Sequence, residues 1–155
     1  MLEVGQTAPS FELPDQTGTT RSLSEFEGQR VVLYFYPKAN TPGCATEAQG
    51  FRDRYEKFQE RDVAVVGVSA DTVEEIESFS ESEELPFTLL SDEDGEVASE
   101  YESFGTREIR GETWEIAFRN TYVIGPDGVI EATYEGVSPE EHPEQVLEKI
   151  AELSE

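Results

Sequence analysis

The sequence predicts an α/β fold: a mixed β-sheet flanked by helices on both faces. Three observations predict it. Val31–Tyr36 and Val63–Ser69 are short, continuous apolar runs rich in β-branched and aromatic residues, as suits central strands buried on both faces. Between them lies a stretch with apolar residues at helical spacing, the crossover that parallel neighbouring strands require. Near the end, Gly125-Pro126-Asp127-Gly128 separates two further apolar segments, which reads as a hairpin and so as an antiparallel edge.

The elements follow in order. Residues 1–30 read as short extended pieces and turns, with Ala8–Leu13 alternating into a turn signal at Pro14–Gly18. Ser22 with Glu25 has the spacing to cap a short helical turn carrying Leu23 and Phe26. After Val31–Tyr36 and Pro37, a helix begins near Pro42, and Ala48, Phe51, Tyr55 and Phe58 form the stripe that packs on the sheet. Following the strand Val63–Ser69, Thr72-Val73-Glu74-Glu75 has the form of a capping box, opening a helix with Ile76 and Phe79 inward. Phe87–Leu90 is a third strand and Glu96–Tyr101 a short helix. Trp114–Ile124 and Val129–Tyr134 are the hairpin strands, and Ser138-Pro139 with His142-Pro143 introduces a last helix bearing Val146, Leu147, Ile150 and Leu153. The order β-α-β-α-β-(α)-β-β-α over residues 1–155, read as a single domain, is a thioredoxin-like arrangement.

Composition narrows the function. The 155 residues carry 11 Lys+Arg against 35 Asp+Glu, a formal net charge of −24, which argues against nucleic acid or an anionic membrane surface as partner. With 36% apolar residues, nine Phe and six Tyr, the chain is too apolar for a disordered acidic tail. No apolar run approaches a membrane span, and Met1–Gly5 lacks the blocks of a secretion signal, so a cytoplasmic location is expected. The acids are spread along the chain, which favours a solvated surface suited to a salt-rich cytoplasm over a docking face for a basic partner. A lone cysteine, Cys44, excludes an intrachain disulfide, a CxxC pair and a Cys-based zinc site; neither metal nor cofactor is expected.

The chemistry centres on Pro37-Lys38-Ala39-Asn40-Thr41-Pro42-Gly43-Cys44, between the first central strand and the long helix. In open α/β sheets, ligands bind at that edge. Thr41 suits the N-cap and Pro42 the first helical position, so Cys44 falls in the first turn, beside free backbone N–H groups and the positive end of the helix dipole. Most lone cysteines are inert buried hydrophobes. This one precedes the apolar stripe of Ala48 and Phe51 and sits at the helix mouth, which favours a reactive thiolate.

Pro37-x-x-x-Thr41-x-x-Cys44 resembles the peroxiredoxin active-site motif, and Tyr34–Lys38 with Thr41–Cys44 is similar to the Q-type, bacterioferritin-comigratory-protein subgroup. Gly5-x-x-Ala8-Pro9-x-Phe11, Phe51-Arg52-Asp53, Phe87–Asp92 and Arg119–Ile124 resemble further family segments in the same order, so the likeness covers nearly the whole chain. It implies a thiol-dependent peroxidase that reduces hydrogen peroxide and alkyl hydroperoxides through a sulfenic acid. Carried over, Cys44 is the peroxidatic cysteine and Thr41 offers a hydroxyl to thiolate and substrate. Arg119 stabilises the thiolate and the leaving oxygen, Pro37 shields the sulfur, and the N–H groups at Gly43 and Cys44 bind the peroxide. The resemblance also implies a monomer.

Plainer readings stand beside these. The plain reading of Arg119 is a surface charge or a salt bridge to one of many acids, though its place between Phe118 and an apolar strand favours function. Arg52 is explained equally by a carboxylate partner, Lys38 by exposure, His142 by a surface position and Trp114 by hairpin packing. Glu47, one turn past Cys44, is unassigned, because a carboxylate there would disfavour the thiolate. The sequence departs from the subgroup at Gln49 and Ala98, where many members carry a resolving cysteine. The oxidised thiol must therefore be resolved by an external reductant, a thioredoxin-like protein or a small thiol. Two alternatives are a redox-sensing module that signals through Cys44 oxidation and a Cys/His hydrolase built on Cys44 and His142.

Overall fold

The computed structural model describes residues 2–38, 42–109 and 111–153, without the side chains of residues 42, 107, 109, 114 and 116. Its centre is a five-stranded sheet. In chain order its strands are β3 (Arg30–Phe35), β4 (Val63–Ser69), β5 (Thr88–Ser91), β8 (Thr121–Ile124) and β9 (Ile130–Tyr134), and in space they run β5-β4-β3-β8-β9. β3, β4 and β5 are parallel, whereas β8 is antiparallel to both β3 and β9. The mixed sheet expected from the two crossovers and the closing hairpin is the one found.

Strand β3 shows why its sequence reads as an unbroken apolar run. Val32 and Tyr34 join the core on one face, while Val31, Leu33 and Phe35 join the core on the other. The first face is covered by α1 (Pro42–Asp53), α2 (Tyr55–Glu60), α3 (Val73–Ser82) and α5 (His142–Leu153), which bury Phe51, Phe58, Ile76, Phe79, Val146 and Ile150. The second face is closed by α4 (Glu96–Glu100), which buries Val97 and Ala98, and by Ala8 and Phe11 of the N-terminal segment. Helices therefore lie on both faces, and the longer ones on the face that holds Cys44.

The α3 capping box forms as its sequence requires. Thr72 Oγ1 accepts from the Glu75 N–H at 3.2 Å, and Glu75 Oε1 accepts from the Thr72 N–H at 3.0 Å. The Ser22 cap does not form. Leu23–Phe26 is a 3₁₀ turn without a side-chain cap, because Ser22 Oγ pairs with Ser24 Oγ and Glu25 is drawn to Arg21 at 2.7 Å. The long helix expected from Pro42 onward breaks at Arg54, whose φ of −108° and ψ of 3° leave the helical range. The apolar stripe continues across the break, with Phe51 and Phe58 ring centroids 5.9 Å apart.

Trp114–Ile124, expected as one strand, is two. β7 (Glu112–Ala117) pairs with β6 (Phe104–Ile109) in a separate antiparallel hairpin, and β8 begins only at Thr121. Between them the Asn120 N–H donates to the Phe118 carbonyl at 2.8 Å, a tight turn that takes Phe118-Arg119-Asn120 out of extended pairing. The two-strand sheet of β1 (Glu12–Pro14) and β2 (Thr20–Ser22) completes the fold.

Candidate active site

Cys44 lies in the first turn of α1, at the edge of the sheet where β3 ends. The antiparallel course of β8 brings Arg119 to the same place: Tyr34 stands opposite Thr121, and the Phe35 N–H donates to the Asn120 carbonyl at 2.9 Å. The turn that leads into β8 thus arrives beside the residues just after β3.

The Arg119 guanidinium lies against the thiol, with Nη2 3.3 Å from Cys44 Sγ, while Nη1 donates to Glu47 Oε1 at 3.3 Å. Gly43 makes this approach possible. A Cβ at that position would stand 2.7 Å from Arg119 Nη2, closer than carbon and nitrogen tolerate. Cys44 is 1% exposed and packs in the same core as Tyr34, Tyr36 and Ala48, so the sulfur is more enclosed than a helix-mouth position suggested. The reason is local: α1 packs its first turn onto the sheet, and Arg119 reaches the sulfur from the turn before β8.

Glu47 is the site residue that sequence reasoning left unassigned. It is fully buried, and burial pushes its carboxyl up to about 7 while Arg119 pulls it back down. Its Oε2 has no hydrogen-bond partner among the described residues. One cation, Arg119, contacts both this carboxyl and the Cys44 sulfur. The available signal was spacing: residues three apart on a helix share a face, so a buried acid beside Cys44 needs a cation.

Asn120 fixes the turn that carries Arg119. The buried amide donates to Ser103 Oγ at 3.0 Å, and its oxygen accepts from the Gly136 N–H at 3.1 Å. The Val137 N–H donates to the Arg119 carbonyl at 3.0 Å. Beside this turn opens a cleft of about 650 Å³ whose lining includes Pro37 and Arg119.

The other candidates separate clearly. Pro37 lies on that cleft, and Gly43 and Arg119 meet at Cys44, whereas Thr41 falls outside the described residues. Lys38 is more than exposed: Nζ donates to Asp71 Oδ1 at 3.0 Å and Glu75 Oε2 at 3.2 Å. Arg52 donates to the Glu83 carbonyl and to Asp53, away from the thiol. Trp114 is on β7, and its side chain is outside the described set. His142 is not a surface residue. It is buried, with Nε2 2.7 Å from Thr121 Oγ1 and its ring against Phe51 and Tyr134, and burial lowers its pKa to about 4. The proline that follows it sits on Gly50 of α1, which pulls the start of α5 into the core. The imidazole is thus engaged elsewhere, and the cation at the thiol is Arg119. Gln49, at the first position where a resolving cysteine could stand, bonds Glu83, and Ala98, at the second, is a buried residue of α4.

A thioredoxin-like sheet with one cysteine in the first turn of a helix, and a guanidinium on its sulfur, defines a protein that does thiol redox chemistry. The AhpC/TSA family model matches residues 4–133. Over 151 residues the chain is 41% identical to Peroxiredoxin Bcp of Escherichia coli, with 97% of each chain covered. Among solved structures, it matches a cysteine-to-serine mutant of PrxQ from Xylella fastidiosa with a TM-score of 0.93 and 30% identity, covering 100% of this chain and 99% of the other. Peroxidoxin BcpB of Mycobacterium tuberculosis matches with a TM-score of 0.89 and 36% identity over 99% of both chains. The chain belongs to the AhpC/TSA family. It is a peroxiredoxin, a thiol-dependent peroxidase.

Proposed function

We propose that residues 1–155 act as one domain in which Cys44 is the peroxidatic nucleophile, reducing hydrogen peroxide and alkyl hydroperoxides with electrons from an external thiol. The observation that carries this reading is the Arg119 Nη2–Cys44 Sγ contact at 3.3 Å. A thiolate is the reactive form of cysteine, and a cation at that distance favours it. The sulfur attacks the terminal oxygen of the hydroperoxide. An S–O bond forms, the O–O bond breaks, and two sulfur electrons leave with the departing oxygen, which takes a proton to become water or alcohol. In this reading Arg119 and the Gly43 and Cys44 N–H groups stabilise the charge on that oxygen. Pro37 shields the sulfur from water, and Thr41 supplies a hydroxyl to thiolate and substrate; these two roles rest on the family motif.

Oxidised Cys44 has no second cysteine in the sequence. A thiol from a small molecule or a thioredoxin-like protein attacks Sγ of the sulfenic acid, releasing water and leaving a mixed disulfide. A second thiol then restores Cys44 and carries off the disulfide. Support for a monomer in a salt-rich cytoplasm comes from the charge of −24. No described helix is long and apolar enough to cross a membrane. The test is steady-state peroxide consumption with a dithiol present. Cys44→Ser abolishes turnover with the fold intact, and Thr41→Val slows it. More than trace activity in Cys44→Ser overturns the assignment.

A further inference from the structure

Arg119 is the middle residue of the turn between β7 and β8, and one buried residue holds that turn on both sides of it. Ser103, in the connection between α4 and β6, is fully buried. Its carbonyl accepts from the Phe118 N–H at 2.7 Å, and its hydroxyl oxygen accepts from the Asn120 amide at 3.0 Å. The same hydroxyl donates to the Tyr101 carbonyl at 3.0 Å, which fixes its direction. The connection between β9 and α5 supplies a second pair of bonds. There the Gly136 N–H donates to Asn120 Oδ1 at 3.1 Å, and the Val137 N–H donates to the Arg119 carbonyl at 3.0 Å. The buried Asn120 side chain belongs to both pairs. Phe118 and Arg119 lie in neither strand, so sheet pairing does not account for this clamp.

We propose that Ser103 and Asn120 are positioning residues for the peroxidase reaction, which together aim the Arg119 guanidinium at Cys44 and Glu47. The proposal rests on Cys44 being the peroxidatic nucleophile. A guanidinium sits at the end of a flexible stem, so it is only as well placed as the backbone that carries it. Misplacement of such a group by about 1 Å costs up to about a hundredfold in rate. A buried polar network with its partners in place rigidifies what it joins, and here it joins two connections to the residues flanking Arg119. The bonds of Ser103 and Asn120 run to the turn and its neighbours, so their effect on the sulfur passes through Arg119.

The test measures Cys44 oxidation by hydrogen peroxide at fixed pH, well below the thermal midpoint of each variant. Asn120→Leu removes both amide bonds and should slow oxidation about tenfold, and Ser103→Ala, which removes one, about threefold. Added to Arg119→Met, either substitution should change the rate by less than about twofold, because no guanidinium is left to aim. A merely structural role would slow the Arg119→Met protein by the same factor as the wild type. The second readout is Glu47, whose carboxyl burial pushes up to about 7 while Arg119 pulls it down. The pH at which the parent loses thermal midpoint against Glu47→Gln should therefore lie higher when both proteins also carry Asn120→Leu. Should Asn120→Leu fail to fold, Ser103→Ala carries both readouts. Parental oxidation rates, equal losses with and without Arg119, or an unmoved Glu47 window overturns the proposal. If hydrogen peroxide fails to oxidise Cys44 in the wild type, the peroxidase reading falls, while the Glu47 window still decides whether Ser103 and Asn120 aim Arg119.

Discussion

Arg119 stands between two groups, the sulfur of Cys44 and the carboxyl of Glu47, one turn further along α1. Removing the cation exposes both. Arg119→Met is expected to slow Cys44 oxidation by about a hundredfold, the usual loss for one donor aimed at developing charge. Stopped-flow oxidation rates at fixed pH check this, and a parental rate would make Arg119 structural. Glu47 has a pH signature of its own. Its folded value of about 7 lies above its ordinary 4.5, so the native state holds the proton more tightly than the unfolded chain. The stabilising contribution is complete below pH 4.5 and is lost as the pH rises through 7. Thermal midpoints of wild type and Glu47→Gln, measured at about pH 5 and about pH 8, should show the wild type losing ground at the higher pH. His142 works in the opposite sense: its value of about 4, below the ordinary 6.5, gives a contribution present above 6.5 and lost as the pH falls through 4. The two windows overlap, so only single variants separate them. At this scale the Pro37–Cys44 motif and Arg119 were legible in the sequence because their spacing and types are characteristic. The Glu47 contact was not, since it depends on a cation 72 residues away.

The elements that carry the site were legible for a different reason. β3, β4 and α3 announce themselves because both strand faces are buried and because Thr72 and Glu75 satisfy each other. The hairpin of β6 and β7 left no such trace. Among the described residues it pairs only with itself, and Arg107, Glu108, Glu112 and Glu115 interrupt any apolar alternation. The break at Arg54 was equally silent, since the residues around it keep the apolar stripe and only the backbone departs. Helix α1 itself yields a prediction. Gln49 and Arg52 both bond Glu83 at the end of α3, which pins the middle of α1. Five residues of α-helix rise about 7.5 Å, beyond the roughly 7 Å Cα separation that a disulfide spans. Gln49→Cys should therefore form an internal disulfide with Cys44 after peroxide treatment only together with loss of helix. Non-reducing mass spectrometry alongside far-ultraviolet circular dichroism checks this, and a disulfide with unchanged helicity would contradict it.

Across the whole molecule the net charge of −24 sets both stability and association. Like charges spread over one small surface repel, and salt screens that repulsion, so the thermal midpoint should climb as salt rises toward molar concentrations. A flat or falling midpoint would remove the salt-adapted reading. The same repulsion, with Cys44 at 1% exposure, works against two chains joining through their sulfurs. The chain therefore carries an enclosed, cation-contacted thiol without an internal partner, which needs a reductant from outside. The most direct measurement is mass spectrometry of Cys44 after one equivalent of hydrogen peroxide, with and without a dithiol. Peroxide alone should leave a monomer carrying one added oxygen on Cys44, or two with excess oxidant, and the dithiol should return the free thiol through a mixed disulfide on that residue. Peroxide consumed while Cys44 stays a free thiol, or most of the protein recovered as a Cys44–Cys44 dimer, would contradict the account.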